Sequence, residues 1–568
     1  SGIAQVVPIN GFAPVEMQMD LADVPAEVDL EKAAFEVEFL PESMKPEPYV
    51  EIFVRFVKEI GNRFDPLGEI AIASAEYDLP VEFSAAALDE AQALPDEVDP
   101  KNMGRRVDLR DIPFVTIDGE DARDFDDAVY CARVEDGRTR LLVAIADVSH
   151  YVPWGSSVDL DARRRATSVY LADRVIPMLP PALSDELCSL APGAERRSMT
   201  ADLFLNDEGE LVRFSLYPAL IRSDARLSYG EADDILIDYK VAIAAGGDIA
   251  WRLVECSRLA RAREAARARA GGIDFATTEA KVVLDAEGRP TDIALRRKTD
   301  ATRLVEEAMI LANETVAGYL ERRGFPCLYR VHEPPASDAL GSLIPVFQEF
   351  DWFEKPMEAR LVAGDPKVIQ EILAASAPRS EGELVSSLLL RAMKRADYRP
   401  ENQGHYGLAS EAYCHFTSPI RRYPDLVVHR MLRAALTRRP EKFDQEVAAL
   451  PWIAEHSSAM ERVAEAAARE SQELKMVEYL AAFVGQSFSA VISGVAAWGL
   501  YVRLDCTAEG VLPVRALGDE YFVFDPVRYT LVGDESGKVY RLGQCVAVTL
   551  KSADATTASL EFVLAGSR

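Results

Sequence analysis

Two apolar runs separated by a polar interval dominate the pattern of this chain. Residues 112–117 and 141–146 are apolar enough to predict two buried strands. Between them, residues 118–127 contain six acidic residues in ten positions. An ionised carboxylate is costly to remove from water unless a cation compensates its charge. The interval therefore either lies in solvent or holds a metal ion where two core strands meet.

The acidic interval has the side chains that a magnesium-dependent phosphoryl-transfer site needs. Mg²⁺ prefers carboxylate oxygens and commonly binds together with substrate phosphates. Two such ions about 3.5–4 Å apart can activate a water molecule and stabilise the leaving oxygen, which requires about four carboxylates on a short loop. Asp118, Asp124, Asp126 and Asp127 meet that requirement. A solvated acidic loop is the alternative.

Two other acidic motifs fit this interval less well. An EF-hand calcium loop starting at Asp124 would need Asp or Asn at position 128 and Gly at position 129, where the chain has Ala128 and Val129. A haloacid-dehalogenase-type phosphatase would need Thr at position 128 and an apolar strand where Ala122 and Arg123 stand. The calcium loop is excluded, and the phosphatase motif is a poor second.

Elsewhere the pattern predicts further helices and strands. Residues 1–45 lack sustained periodicity and predict an acidic, partly extended arm. Strands are predicted over 49–57 and 71–73. Apolar periodicity and terminal signals predict helices over 84–94, 156–167, 251–270, 302–320 and 460–480.

Pro419 predicts the start of another helix, because proline is tolerated in a first turn. Arg421 and Arg422 would then lie beside free backbone N–H groups, a favourable place for phosphate. From residue 484, short apolar segments separated by Gly turns predict a five-stranded OB barrel. Trp498, Tyr501, Tyr521 and Phe522 are its candidate base-stacking residues.

Composition and charge limit the class of protein. The 568 residues are 49% hydrophobic and 27% charged, as in globular proteins of three or four domains. No apolar run reaches the 18 or so residues of a membrane span, and seven cysteines without a Cys-x-x-Cys pair predict a reducing, cytoplasmic setting. The net charge of −30 argues against RNA binding. However, residues 1–100 carry 22 acids against 5 Lys and Arg, so −17 of that charge lies outside the proposed catalytic region.

Longer motifs resemble the catalytic domain of the ribonuclease II/ribonuclease R family. They surround the acidic interval and recur further along the chain, at residues 108–111, 116–128, 143–149, 176–180, 187–190 and 415–423. The resemblance implies a processive 3'-to-5' exoribonuclease that hydrolyses single-stranded RNA to nucleoside 5'-monophosphates with Mg²⁺, or with Mn²⁺ in its place. A small-molecule metal phosphatase and an inactive RNA-binding scaffold are the rival functions.

The same resemblance assigns roles to individual residues. Asp126 and Arg421 would be catalytic, and Asp118, Asp124, Asp126 and Asp127 would hold metal. Tyr170 matches the tyrosine that stacks on the last base at the end of the family's RNA channel. The full set of implied substrate-binding residues is Tyr170, Arg330, His332, Glu306, Asn313, Arg422, Trp498 and Tyr501.

The implied architecture is of the α+β class. An RNB catalytic domain, a mixed sheet surrounded by helices, would be flanked by OB-type barrels. The family's paired N-terminal cold-shock domains are represented by at most a remnant of the second. The expected parts are an acidic arm or linker (1–45), a partial cold-shock domain (46–95), the RNB domain (96–482) and an S1 RNA-binding domain (483–568). A monomer that binds single-stranded RNA, with no membrane association, is expected.

Overall fold

A computed structural model of the chain is the basis of the structural description. It describes residues 3–6, 17–30, 32–40, 52–62, 66–95, 98, 104–240, 248–275, 278–379, 381–437, 444–555 and 557–566. None of the helices in these ranges is long and apolar enough to cross a membrane. Helices and sheets alternate along the chain, and the α+β class is confirmed.

Four strands near the N-terminus form one sheet in the order β1-β2-β4-β3. Their bounds are β1 Ile3–Val6, β2 Met17–Asp20, β3 Ala33–Phe39 and β4 Ile52–Asn62. Phe35 and Val37 of β3 pack against a small core around Met19 and Val54. The expected extended arm is therefore wrong for these segments, and the boundary at residue 45 separates two paired strands.

Two helices follow this sheet: α1 Pro66–Glu76 and α2 Ala85–Gln92. The strand predicted over 71–73 is wrong, because these residues lie within α1 and its Ile70 is buried against Leu79 and Val169. Helix α2 confirms the prediction for 84–94. Its N-cap is Ser84, whose hydroxyl accepts a hydrogen bond from the Ala87 N–H at 3.2 Å.

The central sheet has six strands in the order β11-β8-β7-β6-β12-β5. The strands of this region are β5 Val107–Asp108, β6 Phe114–Asp118, β7 Asp127–Arg133, β8 Thr139–Ala146, β9 Val169–Tyr170, β10 Val175–Ile176, β11 Glu195–Leu205 and β12 Leu211–Ser228. Strand β12 pairs with β11 along its first part and with β6 along its last part, so the sheet curls back on itself. Strands β9 and β10 form a separate hairpin.

Helices pack around this sheet. The helices from here on are α3 Ser157–Arg165, α4 Tyr229–Ile237, α5 Asp248–Ala270, α6 Asp300–Arg323, α7 Ser337–Gly341, α8 Ile344–Phe347, α9 Lys355–Val362, α10 Pro366–Ser376, α11 Gly382–Ala392, α12 Tyr423–Thr437 and α13 Asp444–Ala481. The apolar face predicted for 302–320 is buried in the main core, with Leu304 and Ala312 fully enclosed. Thr299 caps the start of α6, and Gly324 ends it at a left-handed φ of 66°.

The remaining strands form one hairpin (β13 and β14), one pair of strands distant in sequence (β15 and β16), a barrel and a small sheet. They are β13 Glu279–Leu284, β14 Pro290–Arg296, β15 Tyr329–Val331, β16 Asp397–Arg399, β17 Ser487–Ala496, β18 Gly499–Leu504, β19 Glu509–Pro513, β20 Phe522–Asp525, β21 Thr530–Gly533, β22 Val539–Arg541, β23 Cys545–Asp554 and β24 Ser559–Leu564. The closed barrel β17-β18-β19-β24-β23 has the five strands predicted from the Gly-separated segments.

Candidate active site

The acidic interval connects two neighbouring strands of the central sheet. Asp118 is the last residue of β6 and pairs with Ser228 of β12, while Asp127 is the first residue of β7 and pairs with Ile145 of β8. Both strands are buried over most of their length. The loop 119–126 therefore starts and ends at one edge of a rigid sheet, which limits where its carboxylates can lie.

Ser189 anchors the middle of this loop. Its hydroxyl accepts a hydrogen bond from the Phe125 N–H at 3.1 Å and donates one to the Arg123 carbonyl at 2.6 Å. The Leu190 N–H donates to the Phe125 carbonyl at 2.9 Å. Ser189 is 64 residues away in sequence, and no spacing pattern pointed to this role. The backbone on both sides of Asp124 is held in place by these bonds.

Asp126 is the most enclosed carboxylate of the loop, with 4% of its surface exposed. Its Oδ1 accepts a hydrogen bond from the Ile420 N–H at 2.9 Å. Its Oδ2 is buried without a hydrogen-bond partner and lies 3.8 Å from Nε of Arg421. Burial raises the pKa of Asp126 well above its ordinary value, although Arg421 and the Ile420 N–H oppose that rise. One acceptor oxygen is thus left for a cation or a proton.

The other three aspartates interact electrostatically with their neighbours: Asp124 acts on Asp118 and Asp126, and Asp118 acts on Asp127. Burial raises the pKa of Asp118, with a further contribution from Asp124. Burial, followed by the charge of Asp118, raises the pKa of Asp127 to about 7. The hydroxyl of Tyr170 donates a hydrogen bond to Oδ2 of Asp124 at 3.1 Å. Like charges held this close favour either a proton or a cation.

We tested whether this set fits a divalent metal ion. Carboxylate oxygens, one of them buried without a partner, are the donors that Mg²⁺ prefers. Within the described ranges, no three His, Cys, Asp or Glu side chains stand close enough together to hold an ion without moving. The donor chemistry fits, and side-chain rotation would have to bring the oxygens together.

The raised pKa of Asp127 predicts a pH-dependent stability in metal-free protein. The folded chain keeps a proton on this carboxyl between its ordinary pKa of 3.8 and about 7, whereas the unfolded chain releases it. The contribution of Asp127 to stability therefore falls as pH rises through that window. We expect Asp127→Asn to raise the Tm in EDTA more at pH 8 than at pH 5, as measured by thermal melts.

Mg²⁺ should raise the Tm of the unsubstituted protein more at pH 8 than at pH 5, because only ionised carboxylates bind it. Asp121→Asn is the control. Asp121 lies in the same loop, but its side chain is 86% exposed and pairs with Lys281. A difference between Asp127→Asn and the unsubstituted protein that stayed constant with pH would contradict the assignment.

Arg421 and Arg422 lie in the turn before α12, which begins at Tyr423, so their predicted place in a first helical turn is wrong. The N–H groups of this turn are also not free for phosphate. The Ile420 N–H bonds Asp126, those of Arg421 and Arg422 bond the Ser418 carbonyl, and that of Tyr423 bonds the Ala166 carbonyl. The turn therefore positions side chains rather than offering backbone donors.

The two arginines have different environments. Arg422 donates a hydrogen bond to Oδ1 of Asp425 at 2.7 Å, and the same oxygen accepts from the Ser418 N–H at 2.7 Å. Asp425 is fully buried. The side chain of Arg421 is 41% exposed and donates a hydrogen bond to Ser418 Oγ at 3.1 Å. Arg421 therefore faces the carboxylates with donors to spare, whereas Arg422 holds the turn. Asp425 was not singled out in the sequence.

Tyr170 lies beside the aspartates, at the end of the short strand β9. Its ring is 42% exposed, and it pairs with Val175 of β10. The Ser168 N–H donates to the Arg421 carbonyl at 2.9 Å, which ties this hairpin to the arginine turn. The structure thus brings together three segments that are far apart in sequence, which contain Asp118, Asp124 and Asp126 in the loop, Tyr170 in the hairpin and Arg421 in the turn.

Four other predicted substrate contacts in this part of the chain have protein partners. Arg330 donates to Glu461 at 2.6 Å, Nδ1 of His332 accepts from the Gly407 N–H at 3.0 Å, and Glu306 pairs with Lys298 at 3.0 Å. A direct contact from Asn313 is wrong. It is 3% exposed, and its amide bonds the Tyr413 hydroxyl and the Phe416 N–H. Asn313 supports the segment that leads to Arg421.

The aromatic residues of the barrel are exposed to different degrees. Trp498, between β17 and β18, is 64% exposed, and Tyr521 is 75% exposed. Tyr501 is partly buried over Gly494. Phe522 is wrong as a stacking residue, because it is buried and its ring lies 6.0 Å from that of Tyr540.

Comparisons with known proteins agree on one family. Residues 106–438 match the model of the RNB domain. The chain is 39% identical over 531 residues to ribonuclease R of Thermotoga maritima, covering 91% of this chain and 73% of that protein. It is 37% identical over 530 residues to ribonuclease R of Escherichia coli, covering 90% and 65%. A solved structure of Mycoplasma genitalium RNase R with ribose-methylated single-stranded RNA is 28% identical, with a TM-score of 0.88, over 97% of this chain and 85% of that one.

Proposed function

This chain belongs to the ribonuclease R family of RNB-domain proteins, and from that membership we propose that it is a processive 3'-to-5' exoribonuclease of single-stranded RNA. The products would be nucleoside 5'-monophosphates, and Mg²⁺ the cofactor, with Mn²⁺ able to replace it. One observation carries the proposal: Oδ2 of Asp126 is buried without a hydrogen-bond partner and lies 3.8 Å from Nε of Arg421. A cytoplasmic monomer stays a prediction.

Asp118, Asp124, Asp126 and Asp127 would hold Mg²⁺ in this proposal. Bound there, Mg²⁺ would lower the pKa of a water molecule and offset the charge of the phosphate oxygens. Asp126 would orient the attacking water through its free Oδ2, since its Oδ1 is engaged by the Ile420 N–H. The hydrogen bond from Tyr170 would fix the rotamer of Asp124.

Arg421 would bind the scissile phosphate. Its guanidinium is planar and always charged, so it can grip two phosphate oxygens and stabilise the charge that develops in the transition state. The neighbouring Arg422 already donates to Asp425. The ring of Tyr170 would stack on the terminal base, a contact that accepts any nucleotide.

Digestion of a labelled RNA, followed on a gel, distinguishes this proposal from the rival functions. A 5'-labelled single-stranded RNA should shorten progressively from its 3' end with Mg²⁺ and stay intact in EDTA. A small-molecule metal phosphatase would release phosphate from phosphate esters and leave the RNA intact. An inactive RNA-binding protein would shift the RNA without shortening it. A duplex with a 3' overhang, run beside it, tests action on structured RNA.

Tyr170→Ala should lengthen the final undegraded product without stopping the reaction. The substitution removes the proposed stack on the last base, worth about 1–3 kcal/mol per base, but no carboxylate. Denaturing gels of end products measure the effect. Tyr170→Phe keeps the ring and loses only the hydroxyl that bonds Asp124, so its end product should be unchanged. An unchanged end product with Ala would make Tyr170 a structural residue.

Trp498→Ala should weaken RNA binding without slowing cleavage of RNA that is already bound. One lost stack of about 1–3 kcal/mol corresponds to a roughly 5- to 150-fold rise in Kd. Fluorescence anisotropy in EDTA and single-turnover cleavage measure the two quantities. Trp452→Ala is a matched control, because Trp452 is also exposed but is stacked on His456 of α13. Equal losses from both substitutions would contradict a specific role for Trp498.

A further inference from the structure

A cluster of arginine and aromatic side chains lies where the first part of β12 meets the last turns of α6. We call it the arginine–aromatic patch. Five of its residues line a cavity of about 600 Å³, and Phe204 of β11 lies beneath one of them. These five are Arg213, Phe214, Tyr319, Arg322 and Arg323, and Leu211 and Val212 complete the lining.

Each arginine of the patch is placed over an aromatic ring. The guanidinium carbon of Arg213 lies 3.8 Å from the ring centre of Phe204, that of Arg322 lies 5.8 Å from Phe214, and that of Arg323 lies 5.1 Å from Tyr319. The rings of Phe214 and Tyr319 meet edge to face at 6.3 Å. Such contacts orient a guanidinium without cancelling its charge.

None of these three guanidinium groups forms an ion pair within the part of the chain that the structure describes, although the carboxylate of Asp136 interacts with Arg213 over a longer distance. Their side chains form no hydrogen bond there, and all three residues are exposed. By contrast, Arg263 pairs with Glu314 of α6 at 3.1 Å. In a chain with a net charge of −30, three positive charges without an ion pair around a concavity are a local attractor for an anion.

We propose that the arginine–aromatic patch is a second binding site whose ligand is a nucleotide unit, a phosphate joined to a base. One guanidinium group can donate hydrogen bonds to two phosphate oxygens at once, and bases stack on aromatic rings and on guanidinium planes. The cavity volume lies in the range of about 300–1,000 Å³ that small-molecule sites occupy. An acidic peptide would satisfy the charges but leave the rings unused, so the nucleotide is the better match.

The patch is separate from the aspartates. Arg213 lies near the start of β12, whereas Ser228, the partner of Asp118, is its last residue. Arg213 and Ser228 lie 15 residues apart along this strand, which is at most about 50 Å of extended chain. The site therefore goes beyond the proposed function. Its ligand is either a free nucleoside 5'-monophosphate or a nucleotide within an RNA chain, and the test separates these two sources.

Photo-crosslinking tests the site directly. The full chain in EDTA is irradiated with 8-azidoadenosine 5'-monophosphate, and the labelled peptides are identified by mass spectrometry. We expect label on the peptides that contain Phe214 and Tyr319, with at least a tenfold loss in the triple variant Arg213→Gln/Arg322→Gln/Arg323→Gln. The charge-matched control is Arg105→Gln/Arg222→Gln/Arg289→Gln, which changes three exposed arginines without an ion pair in the described ranges.

Competition then identifies the source of the nucleotide. Protection by unlabelled AMP indicates a free mononucleotide site, and protection by a 20-nucleotide RNA alone indicates a contact along a chain. In the second case the plot of log K for RNA binding against log salt concentration should also become shallower in the triple variant. Each lost phosphate contact contributes about 0.7 to that slope, so three contacts contribute about two. Circular dichroism verifies that the variants fold, and Arg213→Lys/Arg322→Lys/Arg323→Lys should restore part of the labelling.

Three results would overturn the proposal: no label on these peptides, equal labelling of the triple variant, or protection by polyglutamate but by neither nucleotide ligand. Because crosslinking in EDTA requires no hydrolysis, the site and the exonuclease proposal can fail independently.

Discussion

Asp126→Asn should lower the single-turnover rate of RNA hydrolysis by at least about 10²–10³-fold, the effect of removing one transition-state interaction, and should leave RNA affinity nearly unchanged. The asparagine oxygen can keep the hydrogen bond from the Ile420 N–H, so the loop should stay in place. What disappears is the charged Oδ2 that faces Arg421 and has no hydrogen-bond partner. Quench-flow cleavage and anisotropy in EDTA measure the two quantities.

The same substitution should not destabilise the metal-free protein. Burial raises the pKa of Asp126, which means that its charged form is disfavoured in the folded state. A neutral side chain of the same shape removes that penalty, so the Tm at pH 8 in EDTA should be equal or higher. Asp121→Asn, in the same loop but exposed, should change neither rate nor Tm. Near-normal turnover by Asp126→Asn would refute the catalytic assignment.

The acidic interval could be predicted from sequence because its signal is local. Six acids between two apolar runs have few physical explanations, and the structure places them at one sheet edge, between β6 and β7. The partners that hold them are distant. Ser189 and the Ile420 N–H contact the loop only in the folded chain. A contact made by a backbone N–H leaves no pattern of residue spacing from which it could be predicted.

Other differences arise from which face a residue occupies. Tyr521 and Phe522 are adjacent, yet one is exposed and the other buried, because neighbouring positions in extended chain point to opposite sides. In β3, Phe35 and Val37 alternate with Glu36 and Glu38 in the two-residue period of a strand. That signal was present, but the surrounding acids and prolines favoured an extended arm. Composition over a long window therefore hid a short periodic segment.

Arg421→Ala and Arg422→Ala should fail in different ways, although the two residues are adjacent. Arg421 is partly exposed, and its contact with Asp126 is long. Its loss should lower the rate of cleavage of bound RNA by about 10²–10³-fold, as for other transition-state donors, with little change in Tm. Arg421→Lys keeps the charge but loses the planar pair of donors. Its cleavage rate should therefore lie between those of the unsubstituted protein and Arg421→Ala.

Arg422→Ala should instead destabilise the protein. It would leave the carboxylate of Asp425 fully buried without its cation, and breaking such a pair costs about 3–5 kcal/mol. Asp425 also accepts from the Ser418 N–H, so the turn that positions Arg421 would loosen. Denaturant unfolding measures the stability, and the rate per folded molecule is compared between the two variants. If Arg422→Ala kept full stability and lost rate as Arg421→Ala does, both arginines would bind the phosphate. The assignment of phosphate binding to Arg421 and of a structural role, through Asp425, to Arg422 would then be wrong.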